Sequence, residues 1–317
     1  MATYDVRYDL NHDGRVTLAD AILMLNNGAN LSQLANWASH YLGKMSSTFT
    51  TQIPATATYD ATFVIPTEPN SGSDRSFVCF DESQPIKTLT VGGGGTHQVF
   101  VPPTWAHNGS YNGCAAFLDA TDKKTIYSGQ PLTLVAGGNP SWSVNYATFP
   151  SSTVVLNAGP HGGSALGCWG TLTDNWDSTV DVGHVIGLNL YGVDALDHTL
   201  NGNKGYVWPA TKADSGFDNP VSSNYYGAAS GIGMGTRLKL PDATDISGYP
   251  AIMQIIAKAL KKYGAIVCDN TAWADTDFHL QYGLTDPNDT PANATAWQAM
   301  VHALVRVKTD ATTGAWL

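Results

Sequence analysis

The sequence predicts a mainly β protein: a β-sandwich or jelly-roll-like domain with one amphipathic helix packed on it, preceded by a small α-helical unit. Three observations carry this. Many short runs rich in β-branched and aromatic residues are separated by Gly, Pro and Asn turns. The acidic residues are lopsided: of 26 Asp and Glu, only Glu68 and Glu82 are glutamates, which leaves 24 Asp. Asp suits turns and caps, whereas Glu suits helix faces. Finally, one segment alone has a strong helical period within the β pattern.

In chain order, residues 1–45 form the small helical unit, and 46–57 read as a linker or edge strand. Residues 58–317 form the β-rich domain. Its strand candidates are Tyr59–Ile65, Ser76–Phe80, Thr88–Val91, His97–Val101, Ala115–Leu118, Leu132–Val135, Thr153–Leu156, Val185–Tyr191 and Thr236–Leu240. Turn residues punctuate them at Pro69–Gly72, Gly92–Gly95, Gly137–Pro140 and Asn201–Lys204. Short strands so spaced point to a sandwich or jelly roll. The Gly92–Gly95 run is not a phosphate loop, because no Lys-Ser/Thr and no helix signal follow it.

The helix is 251–263. Ile252, Ile255, Ile256, Ala259, Leu260 and Tyr263 recur at i, i+3, i+4, i+7, i+8 and i+11, and Lys261 and Lys262 suit its last turn. Gly264 is placed to end it, and Ala265–Cys268 returns as a strand. Residues 286–295 read as a loop, and 296–307 as a second, weaker helix.

Composition bounds the function. The chain has 317 residues, 43% of them apolar and 13% charged, with net charge −10. Nine Trp, fourteen Tyr and nine Phe supply a core despite the low charge. An acidic chain without a basic block is a poor partner for nucleic acid or an anionic membrane. No apolar run has the length of a membrane span. Cys79, Cys114, Cys168 and Cys268 lack the CxxC spacing of a zinc or redox site, so buried thiols, one disulfide or two all fit. Met1–Tyr4 opens without an apolar leader. The Thr-, Asn- and Gly-rich composition nonetheless looks extracellular. Either a leader has been removed, or the protein leaves the cell without one, as virion proteins do on lysis. Asn30, Asn108, Asn288 and Asn293 begin Asn-x-Ser/Thr sequons, which matter only in a glycosylating source.

The sharpest motif is near the start. Asp9, Asn11, Asp13, Arg15, Thr17 and Asp20 occupy positions 1, 3, 5, 7, 9 and 12 of a loop with Gly14 at position 6. This is calcium-loop spacing: Ca²⁺ takes six to eight oxygen ligands, and the glycine allows the sharp turn that gathers them. Arg15 would offer its carbonyl, and Thr17 would act directly or through water. Leu18, Ile22, Leu23 and Leu25 follow as an apolar helical face, and a second helix is predicted over 31–42. The segment resembles a dockerin repeat. Dockerins carry two such loops and this chain shows one, which would staple a helical unit too short to hold itself together.

A second resemblance spans about 155–275. His161-Gly-Gly-Ser164, Gly183-His184, Gly187–Tyr191, Gly205–Ala210 with Asp214, Met234-Gly235, Tyr263–Val267, Asp269 and Thr271-Ala-Trp273 occur in the order found in a group of secreted bacterial proteins, mostly of unassigned function. The resemblance implies a β-rich extracellular domain and transfers no catalytic residue. Read from their chemistry alone, His184, Trp208, Asp214, Asp269 and Trp273 are candidate ligand-binding residues. Aromatic faces cover sugar C–H surface while Asp and His bond hydroxyls. Ser164, His184 and Asp214 could be drawn as a triad, but no Gly-x-Ser-x-Gly elbow supports it. Glu68 and Glu82 fall in one short turn-like stretch and make a poor glycosidase pair.

Two functions follow as expectations. The first is a calcium-stabilised structural or adhesion subunit on an extracellular or virion surface, partnered by its own copies, another extracellular protein or a glycan. The alternative is a secreted polysaccharide hydrolase or lyase with a dockerin-like appendage.

Overall fold

A computed structural model describes residues 47–60, 63–66, 70–93, 95–109, 113–150, 170–173, 182–271 and 273–317. Among the described residues strand accounts for 35% and helix for 16%, so the protein is mainly β, as its sequence predicts. The calcium-loop residues Asp9 to Asp20, the helix predicted over 31–42, the strand predicted at Thr153–Leu156, and His161, Ser164 and Cys168 lie outside the described residues.

Thirteen strands are described: β1 Tyr59–Asp60, β2 Asn70–Cys79, β3 Ile86–Val91, β4 Gly95–Phe100, β5 His107–Asn108, β6 Ala115–Leu118, β7 Thr125–Leu134, β8 Ser141–Pro150, β9 Ile186–Tyr191, β10 Arg237–Lys239, β11 Ala265–Thr271, β12 Asp275–Gln281 and β13 Val305–Val307. They hydrogen-bond in the order β1-β13-β10-β11-β9-β12-β2-β6-β7-β8-β3-β4, with β5 on β7. Strand β2 joins two halves. Residues 70–76 pair parallel with β12, and 77–79 pair parallel with β6.

Two longer helices accompany the sheet, α1 Ala251–Lys262 and α2 Pro291–Ala303. Helix α1 lies where its period places it. Met253, Ile256, Ala257, Ala259 and Leu260 are buried, with Ile252 and Ile255 at the margin of the core. It ends at Gly264, whose φ of +75° suits glycine. Helix α2 corrects the reading of 286–295 as all loop. Pro291 takes the first helical position, where its missing N–H costs nothing. The Asn293 amide donates to the Thr290 hydroxyl at 3.3 Å. The helix therefore starts five residues earlier than its apolar period suggests, and the chain returns as β13 rather than helix at 305–307. Within 46–57, Ser47–Thr50 forms one helical turn.

Helix α2 covers the sheet where β12 passes. The Trp297 indole N–H donates to the Thr276 carbonyl at 3.0 Å. Its ring meets Phe278 edge-on at 4.9 Å between centroids. Leu188, Leu190, Val267, Phe278 and Leu280 are fully buried with it. Cys79, Cys114 and Cys268 are buried, and the Cys114 thiol lies 2.9 Å from the Gln130 amide oxygen. Among the described residues no helix is long and apolar enough to cross a membrane.

Candidate functional site

Strand β12 reads Asp275-Thr-Asp-Phe-His-Leu-Gln281. Successive side chains of a strand point to opposite faces. Thr276, Phe278 and Leu280 therefore face α2, and Asp275, Asp277, His279 and Gln281 share the other face. The neighbours alternate in step. In β9, Leu188 and Leu190 go with the apolar set, and Gly187 and Asn189 with the polar one. In β2, Gly72, Asp74 and Ser76 lie on the polar side. Register fixes the rungs: Asp277 stands opposite Asn189 on one side and Gly72 on the other, and His279 stands opposite Asp74. Asp269 of β11 stands opposite Asn189, beyond an irregularity at Cys268.

This polar face is wired through one amide. His279 is fully buried, and its Nε2 lies 2.5 Å from Asn189 Oδ1. That oxygen accepts, so Nε2 carries the proton. Asn189 Nδ2 in turn donates to Asp74 Oδ2 at 3.1 Å. Glycine makes room for the arrangement. A Cβ at Gly187 would fall 3.1 Å from the His279 ring, and one at Gly72 would fall 3.1 Å from Asp277 Oδ1.

Asp277 is the electrostatic centre. Burial first, then the charges of Asp275 and Asp74, push its carboxyl up to about 8, and a hydrogen bond with Asp275 adds to the shift. Like charges crowded in a poorly solvated place hold a proton between them. At neutral pH Asp277 is therefore largely an acid, while Asp74, Asp275 and Asp277 are all partly open to solvent. Beside them the turn between β11 and β12 carries Trp273, 65% exposed. The Thr271 hydroxyl lies 2.9 Å from the Trp273 carbonyl and 3.1 Å from that of Asp275, which fixes this turn.

The residues singled out from sequence are placed as follows. Asp214 and Asp269 come together around Tyr226. The buried Tyr226 hydroxyl donates to Asp214 Oδ2 at 2.7 Å. Burial, then the charge of Asp214 and more weakly that of Asp269, drives the phenol well above 10. Trp273 is exposed on the turn two residues before Asp275. His184 is buried ahead of β9, its Nδ1 2.6 Å from the Val185 carbonyl. Trp208 lies elsewhere, against the C-terminal tail, in a cleft with Arg237 and Trp316. Four residues of the polar face, Asp74, Asp275, Asp277 and His279, escape a search for β-branched and aromatic runs, whereas Asn189 falls inside the predicted strand Val185–Tyr191 without being singled out. The signal that finds the three on β12 is the strict alternation of Asp275, Asp277, His279 and Gln281 with Thr276, Phe278 and Leu280.

Among the described residues no group of three His, Cys, Asp or Glu side chains is arranged to hold a metal ion. Compared with known protein families, curated proteins and solved structures, the chain matches none.

Proposed function

We propose that this chain is an extracellular polysaccharide hydrolase whose chemistry runs on the polar face of β2, β9 and β12. The observation that carries the reading is the crowding of Asp74, Asp275 and Asp277 on one partly open face, where burial and its two acidic neighbours raise the Asp277 carboxyl and Asn189 supports Asp74. A carboxyl kept protonated near neutral pH next to an ionised one is the pairing that general acid–base cleavage needs. Asp277 gives its proton to the leaving glycosidic oxygen as the C–O bond breaks. Asp74 takes a proton from the water whose oxygen bonds to the sugar carbon. Return of that proton through solvent to Asp277 closes the cycle. His279 positions Asp74 through Asn189. Exposed Trp273 offers an aromatic face to a sugar ring. In the same reading the two sheet halves sharing β2 form the sandwich or jelly-roll arrangement. The dockerin-like unit holds one Ca²⁺ through Asp9, Asn11, Asp13, Arg15, Thr17 and Asp20.

A panel of polysaccharides assayed for new reducing ends tests this. Cleavage by the wild type, with a fall of about 10²-fold or more for Asp277→Asn, is expected for loss of a general acid. Failure to cleave any glycan, or full activity in Asp277→Asn, would overturn it.

A second reading is favoured by the Asp9–Asp20 spacing alone: a calcium-stabilised adhesion or structural subunit that assembles with its own copies. Light scattering with and without chelator tests it. Chelator-sensitive oligomers of a glycan-inactive protein would support this role, and a monomer in both conditions would exclude it.

A further inference from the structure

A cleft of about 190 Å³ opens between β10 and the C-terminal tail, lined by Trp208, Arg237, Thr309, Gly314 and Trp316 with Thr51 at its side. Its walls are built rather than incidental. The tail folds back on itself: Thr309 pairs with Trp316, the Asp310 amide donates to the Ala315 carbonyl at 2.9 Å, and the Gly314 amide donates to the Asp310 carbonyl at 2.8 Å. The Trp208 amide donates to the Ala311 carbonyl at 3.0 Å, which ties the tail to the loop before β10. Gly314 lies flat on the Trp208 indole, where a Cβ would come within 1.9 Å of the ring. The return strand sets the Trp316 ring 5.9 Å from the Arg237 guanidinium.

Arg237 supplies the chemistry. It is 5% exposed, and Nη1 donates to the Tyr263 carbonyl at 3.1 Å. Burial pulls its pKa down to about 10, so it stays charged at neutral pH. A guanidinium carries five N–H donors in a flat, charged fork whose geometry and charge match a carboxylate. A cleft of this volume is below the usual range for drug-sized ligands, roughly 300–1,000 Å³, and suits a single ring.

We infer that the cleft formed by Trp208, Trp316 and Arg237 binds a single-ring carboxylate, the ring against the indoles and the carboxylate toward the guanidinium. Both sugar acids and aromatic acids have this chemistry. The site is distinct from the polar face: strands β11 and β9 lie between Arg237 on β10 and Asp277 on β12, and Ile266, the β11 residue paired with Arg237, is fully buried.

Titration of tryptophan fluorescence with sodium glucuronate, sodium benzoate and glucose tests it. One or both anions should bind at least tenfold more tightly than glucose, glucuronate alone marking a sugar-acid site and benzoate alone an aromatic-acid site. Trp316→Ala, at the end of the tail, should abolish the response, and Arg237→Lys should weaken it at least tenfold. Asp277→Asn should leave it unchanged, whatever becomes of glycan cleavage. Equal binding of glucose and the anions, binding of neither anion, binding that survives Trp316→Ala, or binding lost in Asp277→Asn would each overturn the proposal.

Discussion

The two faces of β12 carry opposite designs on one backbone. At Thr276, Phe278 and Leu280 the strand is packed under α2, and Trp297 closes that side with a ring contact and a hydrogen bond. At Asp275, Asp277 and His279 it carries carboxylates and an imidazole crowded against Asp74 and Asn189. The first face gains from burial; the second stores repulsion. Strain of this kind persists where the surrounding structure over-determines it, and it concentrates at working sites. Substitutions on the two sides should therefore separate stability from activity.

The largest contrast is expected from Asp277→Asn. The folded carboxyl sits near 8, against about 3.9 for an unfolded aspartate. Between these values the folded state holds a proton that the unfolded state has released. Whatever this group contributes is fully present below about pH 4 and is lost as pH rises toward 8, at up to about 1.4 kcal/mol per pH unit. Asn cannot titrate, so the variant gains on the wild type as pH rises while glycan cleavage falls. Urea midpoints of both proteins at pH 5, 6, 7 and 8 check this. A constant difference across the series would mean that the Asp277 carboxyl is not raised in the folded protein.

Trp297→Ala probes the other face. The side chain is fully buried, and truncating a buried Trp costs about 3–5 kcal/mol. Chemical denaturation should show that loss, whereas activity per folded molecule should hold, because the ring touches Phe278 and Thr276 from the side away from the carboxylates. Equal losses in both measurements would show that the faces are not independent.

What the sequence discloses follows the same division. The β-rich class, strands β3, β4, β6, β9 and β11, and helix α1 are legible because burial selects β-branched or periodic apolar residues. Helix α2 is half legible: its cap Thr290 and Pro291 are strong start signals, but its apolar face is diffuse. The polar face is hidden for two reasons. Asp and His are poor strand formers, so β12 is not recognised as a strand, and pairing with β2 and β9 overrides that preference. Its members also come from distant parts of the chain, since register alone brings Asp74 and Asn189 to His279. Asn70–Gly72 reads as a turn, and parallel pairing to β12 makes it strand instead.

Gly187→Ala acts on the polar face by sterics. The new methyl would meet His279 Cγ at 3.1 Å, Nδ1 at 3.2 Å and Gly170 Cα at 3.3 Å. Overpacking of this kind costs about 1–3 kcal/mol. The ring must shift, and the bond to Asn189 that orients Asp74 lengthens. Activity should fall more than stability, with the acidic limb of the pH–rate profile, which the base Asp74 sets, moved by its changed support. An unmoved profile with reduced stability would leave His279 a packing residue only.

The smallest effect is expected from Thr290→Ala at the start of α2. The hydroxyl accepts the Asn293 amide at 3.3 Å, and loss of such a cap costs about 1 kcal/mol. The change lies at the end of the helix whose Trp297 seals the apolar face, and it touches no carboxylate of the polar one. A stability loss of that size with activity per folded molecule unchanged is the expected result, read by urea denaturation beside the glycan assay. A marked loss of activity would mean that α2 transmits its position through Trp297 and the Thr276 carbonyl to Asp275 and Asp277 on the same strand. The polar face would then depend on the helix for its geometry and not only for its stability.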